Sequence, residues 1–416
     1  MQPTVLFMNM WNKAYFPAGG ADMAYLLVEA HGVGGPADAE KRAPINLSLV
    51  LDRSGSMSGE PLMYSKKACR FVADQMNVDD LLSLVVFDDQ VETVLPPSKV
   101  THKDLMKQRI DSIDARGTTN LSGGLIEGVQ LVRSHKAEGL VNRVILLSDG
   151  HANKGITDRA KLFAIAKEYR SSGVGISAMG VGDGFDEELM EGIAEYGGGN
   201  FHYIEKADDI PAILGRELEG LLSVTAQNVK LIVRPFDGAQ VTAIYGYPAE
   251  ERESGGSAIA IGDLYQNEVK SILVELTLHP HTPGEHPVLK LDWEYVDVTE
   301  GAVMCRTSID VAAAFTSDID LLGQPANPVV EQQVELTKSA IVIEQAMKAF
   351  DSGDMEQGQQ LLKAQADEML RLSAVMGSPL MAEESAKLYS QLDNFEYSSK
   401  KRKELHQEKH RRMKRK

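Results

Sequence analysis

With 416 residues, the chain is long enough for two or three domains that each bury a full core. Charged residues make up 25% and hydrophobic residues 43%, which excludes a disordered or fibrous chain. A net charge of −17 makes it a poor general ligand for nucleic acid and a good one for cations, so DNA is not an expected partner.

Residues 1–43 read as an irregular start, one strand at about 23–30, and a Gly/Pro-rich connector; that strand needs partners from elsewhere. The amino terminus lacks the basic start and apolar core of a signal peptide. No stretch approaches the roughly 18 apolar residues of a membrane span, so a cytoplasmic location is expected. The cysteines, Cys69 on an apolar helix face and Cys305 in a strand-like run, are expected to be buried free thiols.

Over residues 44–222, near-continuous apolar strands alternate with helical runs. This predicts an α/β fold with a doubly wound, mostly parallel sheet covered on both faces. From 223 to 315 the period shortens to strands with turn signals between them, the spacing of a β-sandwich. Strand 23–30 is expected to join that sandwich, so that the α/β unit is inserted into it. Residues 316–332 read as a linker and 333–399 as a helical region of about three helices. The tail at 400–416 carries ten Lys/Arg against Glu404 and Glu408. Without aromatic residues between its charges it reads as a solvated, frayed helix end, with docking to an acidic surface as the alternative.

The first α/β strand ends in Asp52-Arg53-Ser54-Gly55-Ser56, followed by Gly59, Pro61 and a helical run. Ligand sites in open α/β sheets form at the carboxyl ends of strands, and Asp52, Ser54 and Ser56 offer only oxygen, which hard cations prefer. Thr119 lies in the Gly-rich segment Gly117-Thr118-Thr119-Asn120-Leu121, and Asp149 ends a later strand, Leu147-Ser148-Asp149-Gly150. In the common doubly wound order the strands ending at Asp52 and Asp149 flank the switch point, and the oxygens converge there. Each piece alone also reads as a turn or a helix cap.

These three pieces, in this order and spacing, resemble a von Willebrand factor type A domain with a metal-ion-dependent adhesion site. The resemblance covers about residues 44–222, and Gly180-Val181-Gly182 with Gly198-Gly199-Asn200-Phe201 is similar to bacterial, non-secreted members. It implies Ser54, Ser56 and Thr119 as direct ligands, with Asp52 and Asp149 binding directly or through water. The implied ion is Mg²⁺, or Mn²⁺ or Ca²⁺. The implied function is a metal-dependent protein-binding adaptor that captures a carboxylate of a partner, such as an ATPase, kinase or phosphatase, rather than an enzyme. The alternative is a phosphatase-like, Mg-dependent hydrolase using the same cleft.

Weaker candidates remain. His279, His281 and His286 lie among three prolines and read as a strand connector rather than a zinc site. His151 is placed at the cleft rim. Asp88 and Asp89 are adjacent carboxylates whose side chains should point opposite ways. Trp293 and Tyr295 belong to the sandwich. No P-loop and no Gly-x-Ser-x-Gly elbow occurs.

Overall fold

A computed structural model describes residues 4–33, 42–137, 139–149, 152–182, 184–253, 255–298, 303–392 and 397–414. The chain opens with β1 (Val5–Trp11), β2 (Phe16–Pro17) and β3 (Ala21–Gly32). The α/β stretch comprises β4 (Ile45–Asp52), α1 (Glu60–Gln75), β5 (Leu81–Phe87), β6 (Val91–Lys99), α2 (Lys103–Asp111) and α3 (Leu121–Ser134). It continues through β7 (Val141–Ser148), α4 (Arg159–Ser171), β8 (Gly175–Val181), α5 (Glu187–Gly197), β9 (Gly198–Ile204) and α6 (Ile210–Leu222). Strands β10 (Val224–Pro235), β11 (Ala239–Tyr245), β12 (Ala249–Glu251), β13 (Ser257–Tyr265), β14 (Val269–Leu278), β15 (Gly284–Asp297) and β16 (Val303–Thr316) follow. Helices α7 (Ile319–Leu322), α8 (Pro328–Asp351), α9 (Met355–Met376), α10 (Pro379–Leu392) and α11 (Ser399–Lys414) end the chain.

The central sheet has the order β6-β5-β4-β7-β8-β9 and is parallel except for β6 at its edge. Every residue of β4 and β7 is buried, as expected of strands covered on both faces. Leu47, Leu49 and Leu51 of β4 face a core shared with α1, α2 and α6, while Val50 faces α3, α4 and α5. Helix α3 sits unusually close to the sheet: a Cβ on Gly124 would lie 2.4 Å from the Phe87 ring, and one on Gly128 2.3 Å from Val50. Strand β6 is absent from the sequence reading because Pro96 and Pro97 interrupt it; an edge strand tolerates them.

Two antiparallel sheets share a second core, one ordered β1-β3-β14-β11 and the other β12-β13-β10-β15-β16-β2. Strand β3, which precedes the α/β stretch, pairs with β14, which follows it. The expected irregular start is instead β1, which pairs with β3 and stacks Phe7 on the buried Trp293 at 4.2 Å. Its Met8-Asn9-Met10 centre hides the alternation from a sequence reading. Cys69 is buried, but Cys305 is only half-buried, contrary to expectation, because β16 turns that face outward.

Helix α8 lays Val330 and Val334 on Leu27 and Leu273 of the four-stranded sheet. Helices α8 to α11 close their own core around Ile343, Phe350, Leu362, Met369, Leu388 and Leu405. The basic tail is therefore not a solvated, frayed end: Leu405 is fully buried, and Lys403 and Arg412 are each 1% exposed. No helix among the described residues is long and apolar enough to cross a membrane.

Candidate metal centre

The carboxyl ends of β4 and β7 lie side by side at the point where the strand order reverses. Asp52, the last residue of β4, is fully buried; its Oδ1 accepts the Ser54 backbone N–H at 2.8 Å, and its other oxygen accepts the Ser148 hydroxyl. This carboxylate-to-backbone bond turns the chain so that Ser54 and Ser56 face the same way. Their hydroxyl oxygens are 3.1 Å apart, and the Ser56 hydroxyl donates to Asp149 Oδ1 at 2.8 Å. From Asp52 through Ser54 and Ser56 to Asp149, the oxygens run from the floor of the site to its exposed mouth.

Thr119 belongs to the same edge but is held differently. Its N–H donates to Asn153 Oδ1 at 3.0 Å, and its carbonyl accepts the N–H groups of Asn153 and Lys154, each at 3.2 Å. Two residues earlier, Gly117 O accepts the Gly55 N–H at 3.2 Å, which ties this loop to the serine loop. The Thr119 side chain is buried, and its hydroxyl is not hydrogen-bonded to either serine or either carboxylate. Asn120 caps α3 by accepting the Gly123 N–H, so the glycine-mediated seating of α3 fixes where Thr119 stands.

A second carboxylate, Asp88, fastens these loops from behind. Arg53 Nε lies 2.7 Å and Arg116 Nε 2.9 Å from its Oδ2, while its Oδ1 accepts the Gln90 N–H at 2.7 Å. Burial alone would raise this carboxyl; the Gln90 bond and the two guanidiniums prevail and hold it down to about 2. Just beyond the end of β5, Asp88 is fully buried and Asp89 only half-buried. Sequence reasoning missed the roles of Ser148, Asn153, Arg53 and Arg116. The only signal for them was that each adjoins a loop already singled out.

The site residues themselves lack a cation. Among the described residues neither Asp52 nor Asp149 forms an ion pair, and Arg53 turns its charge away to Asp88 and Glu92. Burial raises both carboxyls, Asp52 to about 6, against the opposing hydrogen bonds from Ser148 and Ser54. Two uncompensated carboxylates beside three hydroxyls, all of them oxygen donors, fit a hard divalent cation. His281 and His286, in contrast, stack on each other at 4.8 Å and pack against Phe315, an aromatic contact within the antiparallel sheets. His151 lies outside the described residues.

The comparisons with known proteins bear on the same stretch. Residues 46–216 match the family model of the von Willebrand factor type A domain. This chain carries a type A domain. The Synechocystis protein sll0103 is 28% identical over 330 residues, 76% of each chain. YfbK of Escherichia coli is 30% identical over 248 residues, which is 58% of this chain but 43% of that protein. WAV3 of Arabidopsis thaliana, named an E3 ubiquitin-protein ligase, is 26% identical, and the match spans 34% of its length. Among solved structures, a von Willebrand factor type A protein from Catenulispora acidiphila superposes with a TM-score of 0.73 at 18% identity, covering 92% of this chain and 88% of that one. The ArnB paralog VWA2 from Sulfolobus acidocaldarius gives 0.66 at 16% identity over 99% of both chains. At these identities the two structures speak to the fold, and they extend it beyond the type A domain to the antiparallel sheets and C-terminal helices.

Proposed function

We propose that the chain is a divalent-metal-dependent protein-binding adaptor whose type A domain captures an acidic group of a partner. The observation that carries this reading is the continuous run of oxygens from Asp52 to Asp149 across the switch point, with no cationic side chain paired to it among the described residues. Ser54, Ser56 and Thr119 would hold the ion directly, and Asp52 and Asp149 directly or through water. Mg²⁺ is the expected ion, with Mn²⁺ or Ca²⁺ as substitutes. Neutral hydroxyls in the inner set leave the cation electron-poor, so an incoming carboxylate is the ligand such an ion favours. The antiparallel sheets are read as a β-sandwich scaffold into which the type A domain is inserted, and the C-terminal helices as a second contact surface. An ATPase, kinase or phosphatase is the class of partner expected.

Mg²⁺ or Mn²⁺ at about 100 times its dissociation constant should stabilise the wild-type chain by ~2.7 kcal/mol, visible as a higher melting temperature. Ser54→Ala should retain the fold and lose that response. A pull-down with Mg²⁺ against chelator should then retain a partner only with the metal and only on wild type. An equal melting response in wild type and Ser54→Ala would sink the reading.

A further inference from the structure

At the opposite, amino-terminal end of the central strands, where α4 and α5 end, a cleft of about 440 Å³ opens between these helices and the six-stranded antiparallel sheet. Five cations line it: Lys167 and Arg170 from α4, Lys230 and Arg234 from β10, and Arg252 just beyond β12. Two of them are already matched, Lys167 by Glu250 at 2.7 Å and Arg234 by Asp292 at 2.5 Å. The lining carboxylate Glu294 is likewise taken, by Arg306 at 3.0 Å. The third lining carboxylate, Glu195, acts on Arg170, whereas Lys230 and Arg252 form no ion pair among the described residues, so the balance of charge in the cleft is positive although the chain carries −17 overall.

Arg170 lies deepest. Its guanidinium crosses Gly198, where a Cβ would stand 2.6 Å from Nε, so a side chain there would push it out of place. Among the described residues its one hydrogen bond is a long one, 3.4 Å to the Glu195 carbonyl, and its Nη2 is buried without a partner. Asp263, the acid that acts on it most strongly, is occupied by Arg143 at 2.5 Å and by the Asn228 N–H at 3.1 Å. The residue as a whole is half-buried and lines the cleft, so a phosphate there would meet a guanidinium whose protein bond is weak and whose fork has donors to spare. The C-terminal end of α4 disfavours an anion by its dipole; Arg170 sits in that last turn and offsets it.

We propose that this cleft binds a phosphate-bearing small molecule of about nucleotide size, held by Arg170, Lys230 and Arg252. A guanidinium fork with a neighbouring ammonium is the donor set that phosphate oxygens pair with most strongly. The volume lies in the range of about 300–1,000 Å³ found for small-molecule sites, and Ile232 and Pro248 supply an apolar wall for the organic part.

The test is calorimetric titration of the full chain in EDTA with pyrophosphate, ATP and a phosphoserine peptide, at matched ionic strength. Saturable binding of pyrophosphate or ATP is expected, weakened about tenfold or more in Lys230→Glu and in Arg252→Glu, both surface changes that leave the cores intact. Arg170→Lys, which retains the charge but loses the fork, should weaken it as well. No saturation below about 10 mM, wild-type affinity in both charge-reversed variants, or preference for the peptide over both small molecules would overturn the proposal. Because metal is chelated throughout, the outcome is independent of whether the oxygen site at the carboxyl ends of the strands binds a cation.

Discussion

At the scale of single residues, the candidate site depends on a group that does not line it. Asp88 is a buried carboxylate shared by Arg53 and Arg116, one from the loop after β4 and one from the loop that leads to Thr119. Removing it strands Arg53, whose side chain is 6% exposed, with Glu92 as its remaining partner. Asp88→Ala should cost ~3 kcal/mol of unfolding free energy, the lower end for breaking a buried pair by deleting one member. It should also weaken the Mg²⁺ response, because the two loops lose their common anchor; urea melts with and without metal measure both. The pH dependence follows from the lowered carboxyl. With a folded value of about 2 and an ordinary value of 3.8, Asp88 contributes its stabilisation in full above pH ~4 and loses it as the pH falls toward 2. Asp88→Asn should therefore flatten the acid side of the stability profile, and an unchanged slope between pH 4 and 2 would contradict the assignment. The sequence marked Asp52, Ser54, Ser56, Thr119 and Asp149 because each sits in a local motif. Asp88 stood out only as one of two adjacent carboxylates, since its two arginines become neighbours only when β4, β5 and the glycine loop are side by side.

Among the elements, the C-terminal helix departs furthest from what its sequence suggests. A run of ten basic residues in seventeen looks like a solvated end. Helical spacing instead brings Arg402, Lys403, His406 and His410 onto α5, where Arg402 pairs with Glu187 and Glu188, and both histidines bond Glu191 at 3.0 and 3.2 Å. Those acids lie more than two hundred residues away in sequence, so no local pattern could pair them with the tail. Leu405 adds the apolar contact that a solvated helix would lack. Burial would raise the Glu191 carboxyl, but the bonds from His406 and His410, with the charge of Lys409, hold it below the usual carboxylate range. Its stabilisation is therefore present above pH ~4.5 and lost below it. Glu191→Ala should release the docked face of α11. Hydrogen exchange should show faster amides across residues 399–414 with the central sheet still protected. Unchanged protection of α11 would mean that its apolar contacts alone keep it docked.

For the molecule as a whole, the legible parts were those with a strong period. The parallel strands and their helices were readable because burial on both faces leaves near-continuous apolar runs. Strands β1 and β6 were hidden, one by polar and flexible residues at an edge, the other by two prolines. What no period could reveal is how the parts are joined, and one buried ion pair does much of that. Arg143 of β7 is fully buried and reaches Asp263 of β13 at 2.5 Å, with its Nε and Nη1 left without partners. Around it, Val224, Val298 and Tyr265 carry the core of the parallel sheet into the antiparallel strands. A joint of this kind predicts cooperative unfolding. The two tryptophans, Trp11 and Trp293, belong to the antiparallel sheets, while most of the helix signal comes from the type A domain and the C-terminal bundle. Fluorescence and far-ultraviolet dichroism should thus report one coincident transition in the wild type. Asp263→Ala leaves a guanidinium buried without its counter-charge, which should cost ~3 kcal/mol and split the two signals, with the helical signal lost first. Arg143→Met in the same background removes the stranded charge and should recover part of the loss, a coupling that a double-mutant cycle reads directly. If wild type already melts in two separate steps, the joint between the sheets is weaker than this packing implies.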